Sequence, residues 1–460
     1  MKAAHILHLY QRAGFGLSAS QFKQILADET NVFDVLFDNS NQIEKLTVNT
    51  PEIDAFLANY SEDKNENKKG FREIIKQSIK KVVEFNSAWI DRMANSDQVL
   101  RERMTFFWAT HFVVRSRNIV YLQNFNHTLR QNALGNFKEL LIAISKEAAM
   151  LDYLNNQQNK KGSPNENFAR ELMELFTLGE GNLYAEIDIK ESARAFTGWG
   201  HNFKGDFVIR KKVHDEGQKT FLGKTGNFDG EAIIDIILKQ PECATFIAAK
   251  IYKCFVNEVV NKAHVAEMAK VFYKDYDITK LMKFVFKADW FYEQENMGSK
   301  IKSPTELLVG IKKTVPFSMN IPRQLVYLQK LLGQVLIEPI NVAGWPDGKN
   351  WIDVNTMMVR MKLPSVLLKN GTIAFDIRGE FEDDFDEFNK KNNLNRKLDI
   401  TPNWAQFDFD FSELSYEDIA NLLIRCPSNE GTKAFLKSLE KVDKQEYCLQ
   451  LMSLPEYQLS

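Results

Sequence analysis

The sequence is poor in cysteine: four in 460 residues are too few and too scattered for a disulfide framework or a zinc site. Cys243 and Cys254 fall on one predicted helix, about 16 Å apart at the helical rise and beyond disulfide reach. Cys426 and Cys448 meet only if the fold brings them together, so four reduced thiols are expected. Long apolar runs are also missing. No stretch of about 18 apolar residues occurs, which excludes a membrane-spanning helix. The opening segment MKAAHILHLYQRAGFG is broken by His5, His8, Gln11 and Arg12 and lacks the apolar centre of a secretion signal. As written the chain reads as cytoplasmic, with export open if a leader was removed. Neither sign of charge is in excess: 59 basic residues face 61 acidic ones, so no global field recruits nucleic acid or an anionic membrane. Three signatures are absent as well. There is no Glu-x-x-His of di-iron carboxylate proteins and no His-Glu-x-x-His, and GKTG at 223–226 lacks the upstream glycine of a P-loop.

What is present is a large, phenylalanine-rich core and many helix signals. Phe outnumbers Tyr and Trp, 34 against 13 and 7, and has no polar handle for a wet binding face. Ser18 with Gln21, and Ser303 with Glu306 behind Pro304, read as capping boxes. Helical periodicity runs through Phe71 to Met93, and QVLRERMTFFWATHFVVRS is the most apolar helix. From Ser40 to Gly70 the chain is polar and expected to be mobile. FVIRKKVHDEGQKTFLG reads as a β-hairpin or extended loop, and FDFDFSEL, alternating apolar and acidic, as a short strand or extended segment. Glu380 to Glu387 is acidic. The fold class is therefore mainly α, an irregular multi-helix assembly with a small β-hairpin region around residues 203–222. Four regions are expected: 1–160 helical, 161–230 bearing the main motifs, 231–370 helical with a Trp-bearing loop, and 371–460 acidic and then helical.

The densest chemistry lies between Ser163 and Trp199. Ser163 as N-cap, Pro164 in the first helical position and Glu166 three residues after the cap start a helix that Gly179 ends. At about 100° per residue its apolar side chains share one arc, and Glu166, Arg170, Glu171 and Glu174 stand on the other. A second helix begins near Asp188 and carries Lys190 and Arg194. A helix hairpin would bring Arg194 to the carboxylates. Glu171 and Glu174 sit one turn apart, where like charges are tolerable only with a cation or a metal between them. Such a pair suits general acid and base work, an oxygen-ligated divalent ion, or a structural ion-pair network, and the residues leave these alternatives open.

Six segments, NENFARELMELFTLGEG, DIKESARAFTGW, HLYQRAGFG, the His214-Asp215 turn with LGKTGNFDG, KSPTELLVG and NVAGWPDGKNWID, together resemble the bacterial DUF1800 family, over about Ile6 to Pro364. The resemblance implies a helical protein and no established activity. Members often sit beside a gene for a secreted protein of the alkaline-phosphatase superfamily, which makes such a protein a candidate partner.

The candidate catalytic residues are Glu171, Glu174, His111 and His214, with Arg12, Arg170, Arg194 and Asp215 as candidate substrate-binding residues. His111 follows Arg103 and Phe107 at four-residue steps on the apolar helix, as a core histidine or as a proton carrier. His8 and Arg12 lie one turn apart and can contact one anion or simply line a face. Trp345 and Trp351, with Asp347 and Lys349, stand on a Gly- and Pro-punctuated loop, as a stacking platform or as plugs. Two functions follow: an enzyme working by acid–base chemistry on a polar substrate, or a non-catalytic partner or maturation module for the neighbouring phosphatase-like protein. The metal and cofactor stay unassigned.

Overall fold

The computed structural model describes residues 1–27, 32–58, 68–369 and 398–460. Its N-terminal helices are α1 (Ala3–Gly14), α2 (Ala19–Ala27), α3 (Val32–Asn39), α4 (Pro51–Ala58), α5 (Lys68–Asn95), α6 (Val99–His111), α7 (Ile119–Asn132), α8 (Phe137–Lys146) and α9 (Ala148–Tyr153). The motif region supplies α10 (Asn167–Glu174) and α11 (Glu186–Ala195). Two antiparallel hairpins follow: β1 (Trp199–His201) with β2 (Phe207–Ile209), and β3 (Lys219–Phe221) with β4 (Lys224–Gly226). Helices α12 (Gly230–Leu238), α13 (Pro241–Phe255), α14 (Lys262–Phe272), α15 (Ile278–Lys287), α16 (Pro304–Thr314), α17 (Pro322–Leu331) and α18 (Val354–Leu368) complete the body. Four shorter helices, Trp404–Phe411, Tyr416–Leu423, Glu430–Leu439 and Lys444–Met452, close the chain. A third pairing joins Phe317–Met319 to Ile400–Pro402. The protein is mainly α, with β structure confined among the described residues to these three two-stranded pairs.

Helix α6 is the axis of the packing. Val99 through Trp108 are all buried, including the charged triplet Arg101, Glu102 and Arg103. A helix buried on every side must find partners for its polar groups, because an unpaired buried charge costs several kcal/mol, on the order of 3–5 when one partner is removed. Glu102 accepts both Nε and Nη2 of Arg130 on α7, at 2.7 and 3.0 Å, and lies 3.3 Å from Arg92 on α5. Arg101 donates to the carbonyls of Ser40 and Arg130. Arg103 reaches Glu306 at the start of α16. One continuous buried cluster runs from Ile6 to Tyr457.

Two expected capping boxes form. Ser18 and Gln21 exchange both bonds, and Ser303 and Glu306 do the same with Pro304 in the first turn of α16. The third does not. Ser163 gives its amide to the Lys160 carbonyl in a tight turn, and α10 begins at Asn167, where Asn165 Oδ1 receives the first helical amide at 3.0 Å. The FDFDFSEL segment is helical rather than extended. Asn403 caps it through the Gln406 amide, and Phe407 and Phe411, four residues apart, stack at 4.3 Å inside the core while Phe409 faces out. The acidic run Glu380 to Glu387 lies outside the described residues, as does 59–67 of the polar stretch expected to be mobile. No helix among the described residues is long and apolar enough to cross a membrane.

Candidate functional site

The motif hairpin forms, and its charges sort into two separate networks. Arg170 spans Glu166, Glu174 and Glu186 at 3.2, 3.3 and 2.8 Å on a partly exposed face, where solvent screens such pairs and they contribute little. Arg194 turns instead to Glu191 and Asp215, at 2.9 and 2.8 Å, so it does not join the Glu171 and Glu174 carboxylates. That bond to Arg194 holds the Asp215 carboxyl at about 2. Asp215 is further fixed by the amide of Gly217 and by the Thr197 hydroxyl on its own amide, and His214 Nδ1 lies 2.7 Å from the Thr197 carbonyl. Glu171 is half-buried, and burial with the nearby Glu174 raises its carboxyl above the ordinary range while Arg170 opposes. Three cavities open among the described residues around α1–α3, beneath the 343–351 loop and beside Trp89, and none of them is lined by Glu171, Glu174, Arg170, Arg194, His214 or Asp215.

His8 and Arg12 are both buried against the segment before α16. His8 Nε2 lies 3.1 Å from the Phe291 carbonyl, and Arg12 Nη2 donates to the Asn296 carbonyl and the Ser299 hydroxyl. His111 packs among Phe107, Phe112 and Phe176, with Nε2 3.1 Å from the Phe176 carbonyl. Burial, reinforced by the charge of Lys250, pushes its imidazole down to about 3 against that hydrogen bond. At neutral pH this burial favours the uncharged imidazole.

His111 nevertheless borders the largest of these cavities. About 410 Å³ of space opens between α6, the C-terminal half of α13, residues 300–306 and the loop 343–351. Arg103 and Glu306 form an ion pair in its wall. Burial alone would raise the Glu306 carboxyl, but Arg103 and Lys300 outweigh it and hold it at about 2, a fully ionised acid. The guanidinium of Arg103 is held by the rings of Phe15, Phe106 and Phe255, 4.9 to 5.8 Å from their centroids. Lys250, Lys253, Lys300 and Lys349 add four ammonium groups, and Glu258 and Asp347 two carboxylates. Burial lowers the ammonium groups of Lys250 and Lys300 from the ordinary lysine range. Glu258 receives the Ile301 amide at 3.2 Å. Of the two tryptophans, Trp351 plugs into the body and Trp345 stays half-exposed on the wall.

Sequence reasoning gave Arg103 only as a spacing marker for His111 and missed Lys250, Lys253, Glu258 and Lys300. A signal existed. KIYKCFVNE at 250–258 sets two lysines one turn apart near the end of a helix with a glutamate just beyond it, and Lys300 lies beside the Ser303 capping box. Among the described residues no group of three or more His, Cys, Asp or Glu is placed to hold a metal ion.

A family model described as "Protein of unknown function (DUF1800)" matches residues 8–459. The chain belongs to the DUF1800 family. The match continues past Pro364, where the motif resemblance fades, to the C-terminal segment. In this DUF1800 protein that segment is tied by backbone bonds to the stretch that carries the cavity-lining Lys300: Lys302 donates its amide to the Gln458 carbonyl, and Lys300 and Ser460 exchange backbone bonds. No curated protein and no solved structure matches the chain.

Proposed function

We propose that this DUF1800 protein is an enzyme that performs acid–base chemistry on a small polar substrate seated in the 410 Å³ cavity beneath the Trp345 loop. The observation that carries the reading is the mixture of groups on one wall. Among the described residues the Glu258 carboxylate accepts one hydrogen bond, from the Ile301 amide, and it shares the cavity with Lys250 and Lys300, whose ammonium groups burial brings down from their usual range. A carboxylate that can accept a proton and amines shifted toward neutrality are what acid–base work needs, in a space of ligand size. Glu306 is committed to Arg103 and is not available for that work.

The test is a screen of the full chain against polar metabolites by thermal shift, followed by turnover assays on the hits. Glu258→Gln is expected to keep binding and to lower kcat by roughly 10²- to 10⁴-fold, the usual contribution of a positioned general base. Turnover unchanged in both Glu258→Gln and Trp345→Ala removes the assignment to this cavity.

A second reading, docking of a phosphatase-like partner, has one observation behind it. Val259, Ile340 and Val354 are 79, 61 and 80% exposed, and each lies close in sequence to a residue lining the cavity. Exposed apolar side chains on the segments that line a polar mouth suit a covering surface. Co-purification with an alkaline-phosphatase-superfamily protein, lost in Ile340→Asp/Val354→Asp and kept in Glu258→Gln, would favour it.

A further inference from the structure

Resting on the cavity assignment above, we propose that the substrate is recognised through an oxyanion group, phosphoryl, sulfuryl or carboxylate, held at the wall formed by Arg103, Lys300, Lys250 and Lys253. Charge balance points there first. The cavity lining carries five cations, Arg103, Lys250, Lys253, Lys300 and Lys349, against three carboxylates, Glu258, Glu306 and Asp347. The chain as a whole carries a formal charge of −2, so the positive excess is local. A low-dielectric cleft of one sign concentrates ligands of the other.

Pairing points the same way. Only Arg103 among the five has a carboxylate within ion-pair distance among the described residues. The Lys300 ammonium donates at 2.8 Å to the carbonyl of Cys254, a neutral acceptor.

The geometry of Arg103 is the strongest element. The residue is 2% exposed, and its guanidinium is steadied by three aromatic rings, which can satisfy its faces but not its in-plane N–H groups. Nη2 meets Glu306, while Nε and Nη1 have no hydrogen-bond partner among the described residues. Arg12, fully buried and electrostatically coupled to Arg103, Glu306 and Glu258, likewise leaves Nε and Nη1 without one. Buried donors of this kind are costly unless an acceptor arrives, and a multidentate oxyanion is the acceptor whose shape and charge fit a guanidinium edge. A neutral ligand would leave the excess positive charge uncompensated.

Three probes sharing one ring test this in the intact chain: glucose 6-phosphate, glucuronate and glucose, by calorimetry at low salt, with inorganic phosphate and sulfate as competitors. The expected result is at least tenfold tighter binding of one charged hexose than of glucose, falling as salt is raised. Comparison of the phosphate and the uronate says which oxyanion is preferred. Lys250→Ala/Lys253→Ala, at the rim of the cavity, is expected to weaken the charged probe about tenfold with the fold intact by circular dichroism. Arg103→Lys, which keeps the charge opposite Glu306, is expected to weaken it further. Equal binding of glucose and the charged hexoses, abolished by Trp345→Ala, would overturn the oxyanion proposal and leave the cavity assignment standing. Absence of binding by every probe and both inorganic anions would overturn both.

Discussion

Arg103 and Glu306, 203 positions apart in sequence, form a buried ion pair that ties the central helix α6 to the capping box of α16. Glu306 serves both sides at once: one oxygen takes the Arg103 guanidinium and the other the Ser303 amide at 2.6 Å. Removal of either partner strands a charge in the core. Arg103→Met or Glu306→Gln should therefore cost on the order of 3–5 kcal/mol in urea unfolding, and the double replacement Arg103→Met/Glu306→Leu less than their sum. The pH dependence has a definite sign. The Glu306 carboxyl is depressed from 4.5 to about 2, so its contribution is present above the unfolded value and is lost as pH falls from 4.5 toward 2. Acid unfolding of the wild type should steepen in that window, and Glu306→Gln should lose the added steepness.

Lys302 gives a slope of the same sign in a higher pH window. Burial drives its ammonium from 10.5 down to about 7, Arg425 adding to the shift and Glu306 opposing it, while Nζ donates to the Tyr457 carbonyl at 2.7 Å. Between pH 7 and 10.5 the unfolded chain holds a proton that the folded chain releases. Stability from this group therefore rises with pH across that range, by up to about 1.4 kcal/mol per unit. Lys313, lowered by burial to about 8, adds to the trend. Urea midpoints at pH 7 and pH 9 should show the increase, and Lys302→Met should reduce it. An identical slope in the variant would mean that Lys302 keeps its proton in the folded chain.

The helix at Trp404–Phe411 makes a sharper structural prediction. Phe407 and Phe411 are buried and stacked, whereas Phe409 between them is 76% exposed. Phe407→Ala should cost about 3–5 kcal/mol, as large aromatic deletions in a core do, and Phe409→Ser should stay within about 0.5 kcal/mol. A strand would have put all three on one face and made the costs similar. The segment also shows why its sequence was misread. An F-D-F-D-F run has period two to the eye, but positions four apart satisfy a helix equally well, and the cap at Asn403 decides between them.

The helical class was legible because it rests on local signals, caps and periodicity, that each segment carries by itself. The limit of such signals shows in two four-residue patterns of the same form, Ser163-Pro164-Asn165-Glu166 and Ser303-Pro304-Thr305-Glu306. The second closes a capping box. In the first, a turn takes the Ser163 amide, and the Lys161 amide is drawn to the Val213 carbonyl of the following hairpin region. The candidate site was less legible for the same reason. Arg194 had a carboxylate three residues away at Glu191 and another across the turn at Asp215, and spacing along the chain could not rank these against Glu171. The Arg103–Glu306 contact, and the convergence of residues 250–258, 300–306 and 343–351, are long-range facts with no local trace.

Gly348 connects the Trp345 loop to Glu258 and separates stability from function. Its φ of +56° is a conformation that costs an L-residue about 1–2 kcal/mol, and a Cβ there would lie 2.5 Å from Oε2 of Glu258. The clash is with the far end of a flexible side chain, so Gly348→Ala should unfold only slightly more easily while Glu258 swings out of position. Gly223, in the β3–β4 turn with φ +73° and nothing within 4 Å of its Cβ position, supplies the control, since Gly223→Ala has the backbone strain alone. The two variants should lose comparable stability, about 1–2 kcal/mol, in thermal or urea unfolding. Ligand affinity or turnover should fall at least tenfold in Gly348→Ala and stay at the wild-type level in Gly223→Ala. If both variants keep wild-type binding and turnover, the position of the Glu258 carboxylate is irrelevant to what the cavity does.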